Sequence, residues 1–462
     1  DLNMAFLIGG ANSAADTAYS VANSCRFNAG DTPYFSRTLG TATNRKKFTI
    51  SVWVKLGSLI TADNNEKTIF AAGSDYSGFH LDGNSDPALA FNIDNSDGFS
   101  VVTSQVLRDM GAWYHLVAAV DTTQGTEANR VKFYINGSQV SNFDTSNYPD
   151  QNYEPDINSG VEHRIGKHTT TSGTRQWDGY MAEFVFIDGT QYAASDFGEF
   201  DEDSPTIWKP KDVSELTFGT NGAYLDFEDS GNLGDDHSTN TNDWAENNIA
   251  ATDQATDTPT NNFCTLNPLD HNNVTFTEGN LKGSCGSSGT CRSTMAVNKG
   301  KWYWEFKYID PEGFHGIRAT HLGVTDNTLS VKIFGLNDPI EAHINGSQND
   351  LTGRDNMSDN DILNFALDMD NNRFAIGQNG AWDNGSAFSG TTLNYHSITG
   401  GHYYSPQIAT GSGTGRVCEV NFGSPSFSIS SGNADANGYG NFEYAVPSGY
   451  FALCTKNLAE YG

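Results

Sequence analysis

Positive charge is what this sequence has least of. Lysine and arginine together number 26 against 56 aspartates and glutamates, a formal net charge of −30 at pH 7. Binding to a nucleic-acid backbone draws on clustered cations and the counterions they release, so no nucleic-acid partner is expected. Adsorption to an anionic membrane surface is disfavoured for the same electrostatic reason. Long apolar runs are missing too, and none approaches the roughly 18 residues of a membrane span. Met4-Ala5-Phe6-Leu7-Ile8-Gly9-Gly10 is short and lacks the basic flank of a secretory signal. No sustained helical heptads occur. Cysteine is sparse, at six: Cys25, Cys264, Cys285, Cys291, Cys418 and Cys454. An even number permits disulfides without requiring them. Cys285 and Cys291 bracket a Gly-Ser-Ser-Gly-Thr loop that could close into a small bridge, whereas Cys418 lies in a strand-like run and is expected to be a buried thiol. Paired C-x-x-C units and a histidine cluster are both lacking, so no zinc site is expected.

What the chain has in quantity is glycine, 48 residues of 462, with Asn, Asp, Ser and Thr dense between short apolar runs. Turn chemistry repeated at such short intervals points to an all-β chain, and the length to more than one domain. Phe48-Thr49-Ile50-Ser51-Val52-Trp53-Val54-Lys55 alternates cleanly. It predicts a half-buried strand with Phe48, Ile50, Val52 and Val54 on the inner face. Further strand signals are Trp113 to Asp121, Arg130 to Val140 and Trp177 to Asp188. Asn136-Gly137 inside the second of these marks a two-residue hairpin, since a type I′ turn needs positive φ at both central positions. In the second half, Lys299-Gly300-Lys301-Trp302-Tyr303-Trp304-Glu305-Phe306 sets bulky aromatics among polar residues, and Asn379-Gly380 repeats the hairpin signal.

Two resemblances follow from these segments. The Trp-containing strand, the hairpin Val131-Lys132-Phe133-Tyr134-Ile135-Asn136-Gly137 and the strand Gly179-Tyr180-Met181-Ala182-Glu183 through Asp188-Gly189 occur in the order of a laminin-G-like, concanavalin A-like jelly roll, over residues 24–195. The Lys299–Phe306 run, His321-Leu322-Gly323-Val324-Thr325-Asp326, Asp361 to Asp370, Phe374 to Gly380 and Val420-Asn421-Phe422-Gly423 resemble a SPRY domain, over residues 276–430. The resemblances imply two antiparallel β-sandwiches, an N-terminal segment 1–23, a turn-rich but packed connector 196–275 and a C-terminal segment 431–462. The connector and the C-terminal segment resemble parts of phage virion and tail-fibre-type proteins, in which further segments follow, so the chain reads as one part of a longer product.

SPRY domains bind other molecules and have no catalytic centre, which implies recognition. Concanavalin A-like folds also host glycosidases, which place two carboxylates across a sugar bond. The nearest candidate here is Glu199-Phe200-Asp201-Glu202-Asp203, but it ends in Ser204 where the glycosidase pattern has a second Glu, and it reads as a solvated loop. His80, His115, His163 and His168 are scattered and read as structural. No catalytic residue is assigned and no cofactor is required; the acidic turns Asp94-Asn95-Ser96-Asp97-Gly98 and Asp368-Met369-Asp370-Asn371-Asn372 are the places where calcium would go. For ligand contact the candidates are rings in polar loops, because a sugar's apolar face stacks on a ring while its hydroxyls seek amides and carboxylates. Trp382, with Asp383 beside it, Tyr148 and Tyr153 fit that description. The leading expectation is a non-enzymatic virion surface or tail-fibre-type protein, outside the cell or secreted, homo-oligomeric, and meeting a host glycan or surface protein and other virion proteins. A capsid or tail decoration protein is the second expectation, and a polysaccharide-active glycosidase the third.

Overall fold

The computed structural model describes Leu7–Ile8 and residues 19–58, 66–73, 77–82, 88–93, 99–169, 175–310, 314–319, 329–334, 341–344, 347–350, 357–410 and 416–462. The chain divides into two compact units, residues 15–260 and, chiefly, 261–462. Both are built almost wholly from antiparallel strands, with one α-helix, Thr455–Tyr461, and four 3-10 turns among the described residues.

The first unit is a jelly-roll-like sandwich. One sheet runs in the order Ser138–Gln139, Val131–Ile135, Trp113–Asp121, Lys47–Leu56, Gly179–Asp188, Ser24–Phe27, Gln254–Ala255. The facing sheet runs Phe143–Asn147, Phe99–Val106, Ala88–Ile93, Ser77–Leu81, Lys67–Ala72, Glu162–Ile165, Tyr34–Thr38, Ala245–Asn247. Phenylalanines from the inner faces meet between the sheets: Phe48 with Phe91 at 6.1 Å, Phe70 with Phe186 at 5.3 Å and Phe79 with Phe133 at 6.1 Å between centroids.

The alternation in Phe48–Lys55 does orient the strand, yet the expected wet face is absent. Thr49, Ser51, Trp53 and Lys55 are buried alongside Phe48, Ile50, Val52 and Val54. The cover comes from the end of the jelly-roll segment and from the stretch expected to be a connector. Thr49 Oγ1 donates to the Thr190 carbonyl at 2.9 Å, and from the connector Asp257 Oδ2 meets Lys55 Nζ at 2.6 Å. Trp53 stacks on His115 at 4.8 Å, and the Trp208 indole N–H donates to His115 Nδ1 at 3.0 Å. Indole is a donor only, so the imidazole hydrogen sits on Nε2 and is given to Ser51 Oγ, 2.8 Å away. Burial holds His115 down at about 3, which keeps the ring neutral. Residues 196–260 therefore supply a roof on one sandwich, through Trp208 and Asp257, and also the edge strands Ala245–Asn247 and Gln254–Ala255, while 261–275 enter the other unit, where Leu266–Thr277 pairs with Lys282–Ser293.

In the second unit, Lys282–Ser293 pairs with Arg416–Asn421 through residues 282–285 and with Tyr404–Ala409 through 290–292. It thus belongs to both layers and turns the corner between them. Trp302, Trp304, Phe306, Phe365, Phe374 and Phe422 fill the core, with Trp304 stacked on Phe365 at 4.8 Å. Of the SPRY-like segments, His321–Asp326 lies outside the described residues. All six cysteines are buried free thiols. Cys285 and Cys291 do not close a loop, because they pair with different strands, opposite Arg416 and Ile408 respectively, and each is enclosed by core side chains.

One buried acid makes the first unit sensitive to pH. Glu183 sits at φ +51° where the register between Gly179–Asp188 and Lys47–Leu56 slips, and its Oε2 accepts from Tyr19 Oη at 2.7 Å and Tyr224 Oη at 2.9 Å. Burial outweighs those donors and pushes its carboxyl up from 4.5 to about 7. A carboxyl whose folded value is raised binds its proton more tightly in the native state, so stability falls as pH rises from the unfolded value to the folded one. Urea titrations should show the wild type losing stability between about pH 5 and 7 relative to Glu183→Gln, by about 3 kcal/mol at most. Parallel profiles for the two proteins would refute this account.

Candidate functional site

Asn136 and Gly137 take φ of +48° and +78°, the left-handed pair that turns Val131–Ile135 back into Ser138–Gln139. The turn is held from outside as well: the His115 backbone N–H donates to Asn136 Oδ1 at 2.8 Å, and a Cβ on residue 137 would fall 2.3 Å from the Trp208 ring. After Gln139 the chain leaves this sheet and reaches the facing one as Phe143–Asn147, which pairs with Phe99–Val106. The crossing leaves an open groove of about 690 Å³ beside the edge strands of both sheets.

The floor of the groove is apolar, made by the buried Val131 and Val140 and the half-buried Phe143. Its walls are polar: Asn129, Gln139, Ser141, Asn142 and Ser146 are exposed, and Lys132 and Tyr148 half-buried. Among the described residues none of these polar side chains has a hydrogen bond or ion pair within the protein. Several Asn and Asp side chains elsewhere in the same unit are committed internally. The Asp188 carboxylate takes the N–H groups of Thr43 and Asn221 and the Asn158 amide, while the Asn240 and Asn242 amides hold carbonyls of Gly219, Thr220 and Gly222. Uncommitted donors and acceptors over an apolar floor with an aromatic ring at one end suit a polyhydroxylated ligand.

Of the residues singled out in the sequence, Tyr148 lines the groove, its ring edge-on to Phe143 at 6.4 Å. Tyr153 does not; it packs edge-on against Phe99 at 5.9 Å, and its carbonyl accepts from Thr122 Oγ1. Trp382 and Asp383 lie in the other unit, and the expectation of a ring stranded in a polar loop is corrected there. Trp382 is 9 % exposed and clustered with Phe263, Tyr303, Phe442 and Tyr450. The residues that cover it lie far away in sequence, so the local polar run misled. Asp383 is fully buried and accepts from Gly385 N at 2.8 Å, His396 Nε2 at 3.1 Å and Asn394 Nδ2 at 3.2 Å. Sequence reasoning passed over Lys132, Asn129, Gln139, Asn142 and Ser146. Their one local signal was position, on the polar phase of the Asn136-Gly137 hairpin and just beyond it.

The acidic run 199–203 is not a free loop. Gly198–Phe200 pairs with Trp208–Pro210, and the buried Asp201 caps the turn by accepting from the N–H groups of Asp203 and Ser204 at 3.0 and 2.9 Å. His163 and His168 are each held down at about 4 by burial, and His80 is lowered for the same reason. Groups that are neutral at pH 7 with so little basicity are poorly matched to general acid–base work. Of the two acidic turns, 94–98 lies outside the described residues, and the Asp368 carboxylate is taken by Asn371 and by Arg373 Nε at 2.9 Å.

Residues 29–194 match the family model of the Concanavalin A-like lectin/glucanases superfamily. No curated protein matches the chain. Solved structures similar to it include the SPRY domain of human HERC1, at 14% identity over 34% of this chain and 96% of that one, with a TM-score of 0.28. The TRIM65 PSpry domain is 16% identical over 34% and 91% of the two chains, with a TM-score of 0.28. A heptameric SAP-like pentraxin from Limulus polyphemus is 17% identical over 38% and 80%, with a TM-score of 0.26.

Trp382→Ala should lower stability by about 3–5 kcal/mol in urea unfolding, the range for deleting a large buried ring. Loss of less than about 1 kcal/mol would show that the ring is not a packing residue.

Proposed function

We propose that the chain is a non-enzymatic recognition protein whose first sandwich binds a saccharide in the groove between Asn129 and Tyr148. The observation that carries this reading is the set of polar side chains around the groove that the fold leaves uncommitted, over a floor of Val131, Val140 and Phe143. The match of residues 29–194 to a family that contains both lectins and glucanases supports a sugar as ligand. Binding without turnover is favoured over hydrolysis because the acidic run 199–203 is used in a hairpin and the buried histidines are held neutral. On the resemblance of its connector and C-terminal segment to phage virion and tail-fibre-type proteins, the chain acts at a virion surface. There, as a homo-oligomer among other virion proteins, it meets a glycan of the host.

A glycan array probed with the full chain tests the reading. Tyr148→Ala should weaken binding to any retained glycan at least tenfold, which is about 1.4 kcal/mol, and leave the melting temperature within a degree or two because the ring is half-exposed. Retained affinity in Tyr148→Ala would remove the groove from the site. Release of new reducing ends from a bound polysaccharide would overturn the non-enzymatic part.

A further inference from the structure

We infer that the groove selects saccharides bearing an anionic group, carboxylate or sulfate, through the Lys132 ammonium; this rests on the saccharide reading above. Lys132 is the single formal charge among the groove's lining residues. That is against the composition of the chain, in which acids outnumber bases 56 to 26, and yet no carboxylate lines the groove. Five other lysines of the same unit, Lys46, Lys47, Lys55, Lys67 and Lys209, each have a carboxylate oxygen between 2.6 and 3.8 Å away, whereas Lys167 lies over the Tyr34 ring at 4.8 Å and Lys211 has no carboxylate partner among the described residues. Lys132 has no such partner among the described residues. Its ammonium is therefore unpaired, in a groove that Asn129, Gln139 and Asn142 also line.

The arrangement also gives a direction. The Tyr148 and Phe143 rings, edge-on to one another at 6.4 Å, give the apolar face of a ligand its place. A bound sugar would stack its apolar face towards Tyr148 and Phe143 and present its acidic substituent to Lys132. A charge-assisted hydrogen bond is roughly twice as strong as a neutral one, whereas the repulsion from the chain's net charge of −30 is screened over about 8 Å at physiological salt. The preference is thus a contact effect, legible with short oligosaccharides.

The test is an array of matched short glycans, each in neutral, carboxylated and sulfated form, probed with the full wild-type chain and with Lys132→Gln, Lys132→Arg and Tyr148→Ala. The wild type should hold carboxylated or sulfated members roughly tenfold more tightly than their neutral counterparts. Lys132→Gln should lose that preference while keeping the melting temperature, and Lys132→Arg should restore it. Preference for one acidic form alone identifies which anion is read. Equal or tighter binding of neutral glycans by the wild type, or a preference that survives Lys132→Gln, overturns the inference while the groove stands. Absence of all glycan binding, or binding untouched by Tyr148→Ala, overturns the saccharide reading and this inference with it.

Discussion

The buried pair Lys55–Asp257 is the constraint on which the first sandwich turns. Lys55 lies on the central strand Lys47–Leu56 and Asp257 two hundred residues later, and both side chains are 1% exposed. Their charged atoms meet at 2.6 Å, the Trp113 indole donates to the second carboxylate oxygen at 3.0 Å, and Ser24 Oγ donates to the Asp257 carbonyl at 2.6 Å. Removing one partner of such a pair leaves an uncompensated buried charge, at a cost of about 3–5 kcal/mol. The pair adds less than that to net stability, because both ions were first stripped of water. What it fixes is arrangement: the returning chain has to reach this point on the sheet. Trp208 and Asp257 then seal the outer face, and the sheet's edge strands at Val131–Gln139 are left to the groove.

A buried acid organises the second unit in the same manner. Glu305, on Lys301–Tyr308, accepts from the backbone N–H groups of Glu443 and Tyr444 at 3.1 and 2.8 Å, from Tyr303 Oη at 2.9 Å and from Asn421 Nδ2 at 3.1 Å. Burial still pushes it up to about 7. Asp435 gathers the same terminal segment through Asn437, Tyr439, Ala452 and Asn457. Residues 431–462 are thus the cover over Tyr303 and Trp382. In both units a buried carboxylate on or against a core strand ties an irregular segment to a sheet face that would otherwise be wet.

The groove follows from the roof as well as from its own strands. Trp208 reaches the Asn136-Gly137 turn from the roof, and the space it fills is why residue 137 has no room for a Cβ. The hairpin's direction, and with it the positions of Gln139, Ser141 and Asn142, is set by that contact together with the His115 N–H bond to Asn136. A turn held at both ends in this way has little conformational freedom left to lose when its side chains meet a ligand.

Local pattern carried far in this sequence where a short-range rule applied. The period-two alternation of Phe48–Val54, the Asn136-Gly137 and Asn379-Gly380 turns and the aromatic run Trp302–Phe306 were enough for an all-β chain of antiparallel sandwiches, because side-chain phase along a strand and positive φ in a hairpin are properties of neighbouring residues. Tyr148 was legible as a ring in polar company for the same reason. The tertiary structure alone decided that Ser51 and Lys55 face a roof rather than water, that Trp382 is covered by residues 442–452, and that Lys132 has no partner among the described residues. Burial and partnership depend on segments tens to hundreds of residues away, and no local pattern encodes which distant chain will arrive.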